Sequence, residues 1–222
     1  MAQRIRAQSP FKHLSTWKLL RFIVKANDDV RQEQFAMQLI SQMGQIWEKH
    51  KLPLWIKPYE NLATGPNCGL IEAINDAMSI HAVKEKINKP NATLQDYFVQ
   101  QYGRRTERYK QARNNFCNSL AAYSLICYIL QIKDRHNGNI MIDIEGHLIH
   151  IDFGFLLSIA PGKGVEMEKF VPFKLTQDMI DVLGGPDHKK FDDFRKRMAK
   201  GFVALQADAE KVILIVEMML NG

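Results

Sequence analysis

Residues 133–155, KDRHNGNIMIDIEGHLIHIDFGF, hold two short apolar runs with polar clusters at their ends, a layout that leaves the segment few ways to fold. The runs 140–142 and 148–151 read as strands, with Asp143-Ile144-Glu145-Gly146 as the turn between them. Pairing the strands sets the DRHNGN loop before the first beside Asp152-Phe153-Gly154 after the second, so Asn139 and Asp152 are expected to meet. An amide oxygen beside a carboxylate is a hard-oxygen donor set. It suits Mg²⁺, which is usually held by one or two carboxylates together with substrate phosphates. Taken singly, each residue would fit an ordinary hairpin with solvated ends. As a set, Asp-Arg-His-x-x-Asn with Asp-Phe-Gly 13 residues beyond the Asn points to a phosphate-handling centre.

Composition limits what surrounds that centre. The chain of 222 residues is 46% hydrophobic and 24% charged, enough for one globular domain or two small lobes. Its net charge of +6 fits an acidic partner such as a nucleotide or an anionic membrane. Arg4, Arg6, Lys12, Lys18, Arg21 and Lys25 all precede the first acidic residue, Asp28, so a basic N-terminal surface is expected. Cys68, Cys117 and Cys127 lack C-x-x-C spacing, which indicates neither a disulfide framework nor a zinc site and fits a reducing, cytosolic compartment. The longest apolar run, 120–130, is interrupted by Ser124 and falls short of the ~20 residues of a spanning helix. With residues 1–7 polar and basic, no signal peptide is expected and membrane contact would be peripheral.

Along the chain, residues 17–25 read as one or two strands ending at Lys25, and Asn27-Asp28-Asp29 as the N-cap cluster of a helix over 29–49. Residues 54–59 and 62–64 are strand-like, 65–69 is a turn, and 70–74 a further strand. Ser79 caps a helix to about residue 87, Thr93 opens another that ends at Gly103, and a charged run, 104–110, leads into a long buried helix carrying Cys117 and Cys127. His147 and His150 read as strand residues. Residues 188–200 read as a charged surface and 202–220 as helical.

Asp134-Arg135-His136-x-x-Asn139 with Asp152-Phe153-Gly154 resembles the catalytic loop and metal motif of the phosphatidylinositol 3/4-kinase superfamily. Val24-Lys25-Ala26-Asn27-Asp28-Asp29-Val30-Arg31-Gln32-Glu33 resembles its V-K-x-G-D-D-L-R-Q-[DE] segment, with Asn27 in place of glycine. PLWIKPY, SIHAVK, FKLT and Leu183-Gly184-Gly185 resemble the phosphatidylinositol 4-kinases of the type III beta class. Ser9-Pro10-Phe11-Lys12 stands where the family's phosphate-covering loop would be, without the usual glycine.

The resemblance implies an α+β, two-lobe kinase-like fold, truncated at both ends, with residues 1–73 a partial, mainly β N-lobe ending in the hinge and 74–222 a mainly α C-lobe. It implies ATP as co-substrate with Mg²⁺ or Mn²⁺. Lys25 is then expected on the nucleotide phosphates and Glu33 in the acidic position that orders the site. Tyr59 belongs to the nucleotide pocket. The main chain of Glu72 and Ile74 would meet the adenine edge, with Ile71, Ile74 and Ile151 sandwiching the ring. Asn139 and Asp152 become metal ligands, and either Asp134 or His136 the proton acceptor. Residues 155–175 become the activation loop, where Lys163, Lys169 and Lys174 face only Glu166 and Glu168, a balance that suits a headgroup without phosphate monoesters.

The reaction so implied is phosphorylation of phosphatidylinositol at its 4-hydroxyl, at a Golgi-type cytosolic membrane face. A small GTPase or adaptor protein is a possible recruiting partner, and nucleic acid is not expected. A 3-kinase or superfamily protein kinase shares the two central motifs. The missing glycine and missing ends suggest, as the alternative, a non-catalytic kinase-fold scaffold that binds nucleotide or a partner protein, against which the presence of Lys25, Asn139 and Asp152 argues.

Overall fold

The structure, a computed structural model, describes residues 2–87, 89–157 and 171–221. A short exposed helix, α1 (Ala2–Gln8), leads to β1 (Phe22–Ala26), so only the second half of the apolar run 17–25 becomes strand. Helix α2 (Arg31–Lys49) follows, with Leu39, Ile40, Met43, Ile46 and Trp47 forming its buried face. Its N-cap is Val30, not the polar cluster before it. Asn27 takes φ +61°, and the Asp29 carboxylate instead accepts from the Arg31 amide at 3.0 Å and from the Arg31 guanidinium.

Strands β2 (Asn61–Gly65) and β3 (Cys68–Glu72) form a hairpin, and β1 adds antiparallel to the far edge of β3, with Phe22 opposite Glu72 and Ala26 opposite Cys68. The expected strand at 54–59 does not form, and the segment stays unpaired with either sheet. Pro53 and Pro58 cannot donate to a ladder, and the Lys57 amide donates to Tyr123 Oη at 3.2 Å rather than to a neighbouring strand. The strand expected over 70–74 stops at Glu72.

A strand that the sequence reading missed, β4 (Ala77–Ser79), opens the second sheet. Ser79 then caps α3 (Ile80–Lys86), and a Thr93–Asp96 capping box starts α4 (Leu94–Tyr102), which Gly103 ends at φ +76°. The long α5 (Glu107–Ile129) starts charged and partly exposed, and from Phe116 to Cys127 it is buried on almost every side, which sets Cys117 and Cys127 in the core. Strands β5 (Ile140–Asp143) and β6 (Leu148–His150) pair with Ile140 opposite His150 and Ile142 opposite Leu148. β4 lies along the other edge of β5.

Helix α6 (Gln177–Leu183) precedes α7 (Lys189–Ala207) and α8 (Ala209–Asn221). The charged stretch 188–200 is thus largely the first half of a helix that buries Phe194. The helical pattern over 202–220 breaks at Asp208, whose carboxylate ties back to Lys49 and His50 at the end of α2. Trp47 Nε1 donates to Gly201 O at 3.1 Å, joining α2 to α7.

Candidate active site

The hairpin β5–β6 places the central residues. Ile151 N donates to Asn139 O at 3.0 Å, extending the ladder one pair beyond Ile140 and His150, so Asn139 and Asp152 leave the same open end of the hairpin. Asn139 Nδ2 donates to Asp134 O at 3.1 Å, which turns the amide oxygen away as an acceptor. Asp152 is held at φ +61°, and the buried Arg135 guanidinium fixes it there by donating to Ile151 O at 2.7 Å and to Asp152 O. The same guanidinium lies 5.5 Å from the centre of the Phe153 ring and its Nε donates to Lys133 O, so Arg135 binds the loop to the Asp-Phe-Gly turn. His136 is exposed and its Nδ1 accepts from Gly138 N at 3.0 Å, which leaves the proton of the neutral ring on Nε2.

Facing this end of the hairpin is a cavity of about 270 Å³. Lys25, Glu33, Tyr59, Ile71, Glu72, Ile74 and Ile151 all line it, together with Asn139 and Asp152. Residues brought together from β1, α2, the unpaired 54–59 segment, β3 and the hairpin therefore converge on one space. Ile23, Ala73 and Met141 line it as well and were missed. For two of them the signal was present, since Ile23 and Met141 stand two residues from Lys25 and Asn139, on the same faces of their strands.

The charged groups form a chain across the cavity. Lys25 Nζ sits 3.2 Å from Asp28 Oδ2 rather than pairing directly with Glu33. Burial alone would lower the Lys25 pKa, but the hydrogen bond and charge of Asp28, with Asp152 and Glu33 behind it, hold it above its ordinary value. Glu33 is buried and accepts a 2.5 Å hydrogen bond from Tyr59 Oη, and the Asp152 amide donates to that same oxygen at 3.3 Å. Burial raises the Glu33 pKa and the Asp152 charge adds to it, while the Tyr59 hydroxyl opposes both. Burial next to Glu33 pushes the Tyr59 phenol far above its usual range, so it remains a donor.

Asp134 and His136 occupy the loop beside Asn139 but are not part of the cavity wall. Lys163 and Lys169 lie outside the described residues, and Lys174 is placed at the end of that segment, just before α6. A second oxygen-rich group, Asp143, Glu145 and His147, gathers at the closed end of the hairpin. That is about four strand residues, ~14 Å, from Asn139. The Asp143 carboxylate there caps the turn by accepting from the amides of Glu145 and His147 at 2.9 and 2.8 Å and from His147 Nδ1 at 2.9 Å. It is the polar end of a tight turn, remote from Lys25 and Asp152.

A three-stranded antiparallel sheet with α2 packed on it, a second sheet whose β5–β6 hairpin carries Asn139 and Asp152 at its open end, and a cavity lined from both define a kinase-like protein. Residues 20–221 match the phosphatidylinositol 3- and 4-kinase family, and the chain belongs to it. It is 47% identical over 222 residues to human phosphatidylinositol 4-kinase beta, covering 99% of this chain and 26% of that protein. Phosphatidylinositol 4-kinase beta of Danio rerio is 48% identical with the same coverage, and that of Sorex araneus 47% identical with 27% of its length covered. The chain spans about a quarter of the length of these relatives.

Proposed function

We propose that the chain transfers the γ-phosphate of ATP to the 4-hydroxyl of phosphatidylinositol, giving phosphatidylinositol 4-phosphate. The observation that carries this reading is the convergence of Lys25, Asn139 and Asp152 on one cavity whose apolar wall is built from Ile23, Ile71, Ile74, Met141 and Ile151. Ile71, Ile74 and Ile151, joined by Ile23 and Met141, offer the flat apolar slot a purine needs, with the main chain of Glu72 and Ile74 along its edge. Residues 1–73 act as a partial small lobe and 74–222 as the larger one, with the nucleotide between.

The donor set fits Mg²⁺ or Mn²⁺. Asn139 presents an amide oxygen, its nitrogen being spent on Asp134 O, and Asp152 a carboxylate. These two residues would hold the cation, and when bound it supplies positive charge between the phosphates. Lys25, kept protonated, draws the phosphate oxygens to the end of β1. Tyr59 couples Glu33 to the Asp152 backbone and so keeps the carboxylate end of the site in place. Asp134 or His136 takes the proton of the attacking hydroxyl; on His136 the accepting atom is Nδ1, once the Gly138 amide releases it. The near balance of Lys163, Lys169 and Lys174 against two glutamates favours an inositol without phosphate monoesters.

Among the described residues no helix is long and apolar enough to cross a membrane. We place the chain at a cytosolic membrane surface of Golgi type, with a small GTPase or adaptor protein as recruiting partner. The test is transfer of labelled phosphate from Mg·ATP to phosphatidylinositol vesicles, with the product isomer identified and Asp152→Ala as control. A 4-phosphate product lost in the control is expected. Near-wild-type turnover by Asp152→Ala, or a 3-phosphate product, would overturn the reading.

A further inference from the structure

The charged run 104–110 plays no part in that site, yet it builds a cavity of its own. About 530 Å³ opens between the loop before α5 and the start of α7, walled by Arg104, Arg105, Lys110, Arg113 and His188 with Gln95 and Tyr109. No carboxylate belongs to the wall. Glu107 pairs with Lys110 at 2.6 Å from outside it, and neither Arg104 nor Arg105 forms an ion pair among the described residues. The cations are also arranged, not merely crowded. Arg113 is anchored by Nε donating to Val182 O at 2.7 Å and by its guanidinium lying 5.6 Å from the Tyr109 ring centre, which leaves its outer nitrogens towards the space. His188 Nδ1 accepts from Lys190 N at 2.9 Å, so Nε2 is the donor of the neutral ring. Gly184, at φ +101°, makes room for both. A Cβ there would stand 2.7 Å from the His188 ring and 2.8 Å from the Arg113 guanidinium.

We propose that this cavity binds a phosphorylated polyol of the inositol polyphosphate kind, either free or as the headgroup of a lipid. Three arginines, beside a Lys110 already shared with Glu107, call for more than one phosphate, and Arg forks are the donors best matched to phosphate oxygens. The volume falls within the ~300–1,000 Å³ of small-ligand sites. A nucleotide is a poor occupant, because the wall lacks the paired aliphatic faces that Ile71 and Ile151 give the other cavity, and the face of Tyr109 is already covered by Arg113. Gln95 suits a hydroxyl instead. The site is separate from the phosphoryl-transfer centre. It lies at the N-terminal end of the 23-residue α5, and the DRHNGN loop follows the C-terminal end, ~33 Å away at the rise of an α-helix.

The experiment is calorimetric titration of the whole chain with inositol hexakisphosphate, with and without saturating Mg·ATP. Saturable binding to one site that Mg·ATP leaves unchanged is expected. Arg104→Gln/Arg105→Gln should weaken it at least tenfold. Lys196→Gln/Lys200→Gln, which removes the same charge from the exposed face of α7, should leave it within about twofold. Phosphatidylcholine vesicles carrying a bisphosphorylated phosphatidylinositol then separate the sources: competition with hexakisphosphate assigns a lipid headgroup, and its absence assigns the soluble compound. Equal weakening by the two double variants would mean diffuse attraction to a basic surface and overturn the proposal. So would displacement by Mg·ATP, the absence of saturable binding, or capture of a phosphoserine peptide that hexakisphosphate does not displace. Because the readout is binding, its failure leaves the kinase reading untouched.

Discussion

Tyr59 offers one oxygen to two parts of the candidate site, and replacing it with phenylalanine removes only that oxygen. The first loss is the 2.5 Å hydrogen bond to the buried Glu33 carboxylate. A hydrogen bond to a charged group contributes about 1.5–3 kcal/mol, and the weaker bond from the Asp152 amide about 0.5–1.5 kcal/mol. Together these predict that Tyr59→Phe is less stable by about 2–4 kcal/mol, a fall in Tm of roughly 5–15 °C for a domain of this size. The loss should depend on pH in a defined direction. Burial already holds the Glu33 pKa above its unfolded value, so its ionisation works against the fold as pH rises through the interval between the two. The Tyr59 hydroxyl is what moderates that rise. Without it the folded pKa climbs further, and the variant loses most near neutrality, where Glu33 must ionise, and less in acid, where it is protonated in both states. Urea unfolding of wild type and variant at neutral and acid pH reads this directly. A variant as stable as wild type, or a loss identical at both pH values, would refute the link between Tyr59 and a charged Glu33.

Gly146→Ala should cost about 2–5 kcal/mol, since φ is +87° and the new methyl would stand 2.9 Å from the Ala112 side chain and carbonyl of α5, seen as a lower urea midpoint at unchanged slope. Asp143→Asn should cost about 1–2 kcal/mol at neutral pH through the loss of its charged bond to His147. Burial alone would raise the Asp143 pKa, but bonds from His147 and Glu145 hold it below the ordinary carboxylate range. Its stabilisation is therefore present above the unfolded pKa and lost as pH falls through the folded one, so the gap between Asp143→Asn and wild type should close in acid.

Local chemistry was readable from the chain, and long-range partnership was not. The hairpin, the Ser79 and Thr93 caps and the Gly103 stop each depend on residues within a few positions of one another, and all four appear in the structure. The unpaired 54–59 segment misled because its Trp, Ile and Tyr have the shape of a strand while its prolines and the distant Tyr123 decide its partners. β4 is three residues long and becomes a strand only because β5 offers an edge 62 residues later, Ser79 lying opposite Met141. Lys25 chose the adjacent Asp28 over Glu33, a short-range competition that spacing alone did not rank. The cavity residues were found from motif resemblance, whereas Tyr59's bridging role emerged from geometry.

The connection from β3 to β4 spans only residues 73–76, and each end of it is tied down. Ala73 N donates to Arg21 O at 2.9 Å, on the side of the first sheet, and Ile144 N donates to Asp76 O at 3.0 Å, on the side of the second. Ile74 and Asn75 alone lie between the anchors. Mechanically that is a flexure, not a tether: it can bend but has almost no slack to stretch or slide. The stretch of cavity wall that Ile74 supplies is therefore never more than two residues from a fixed point in one sheet or the other.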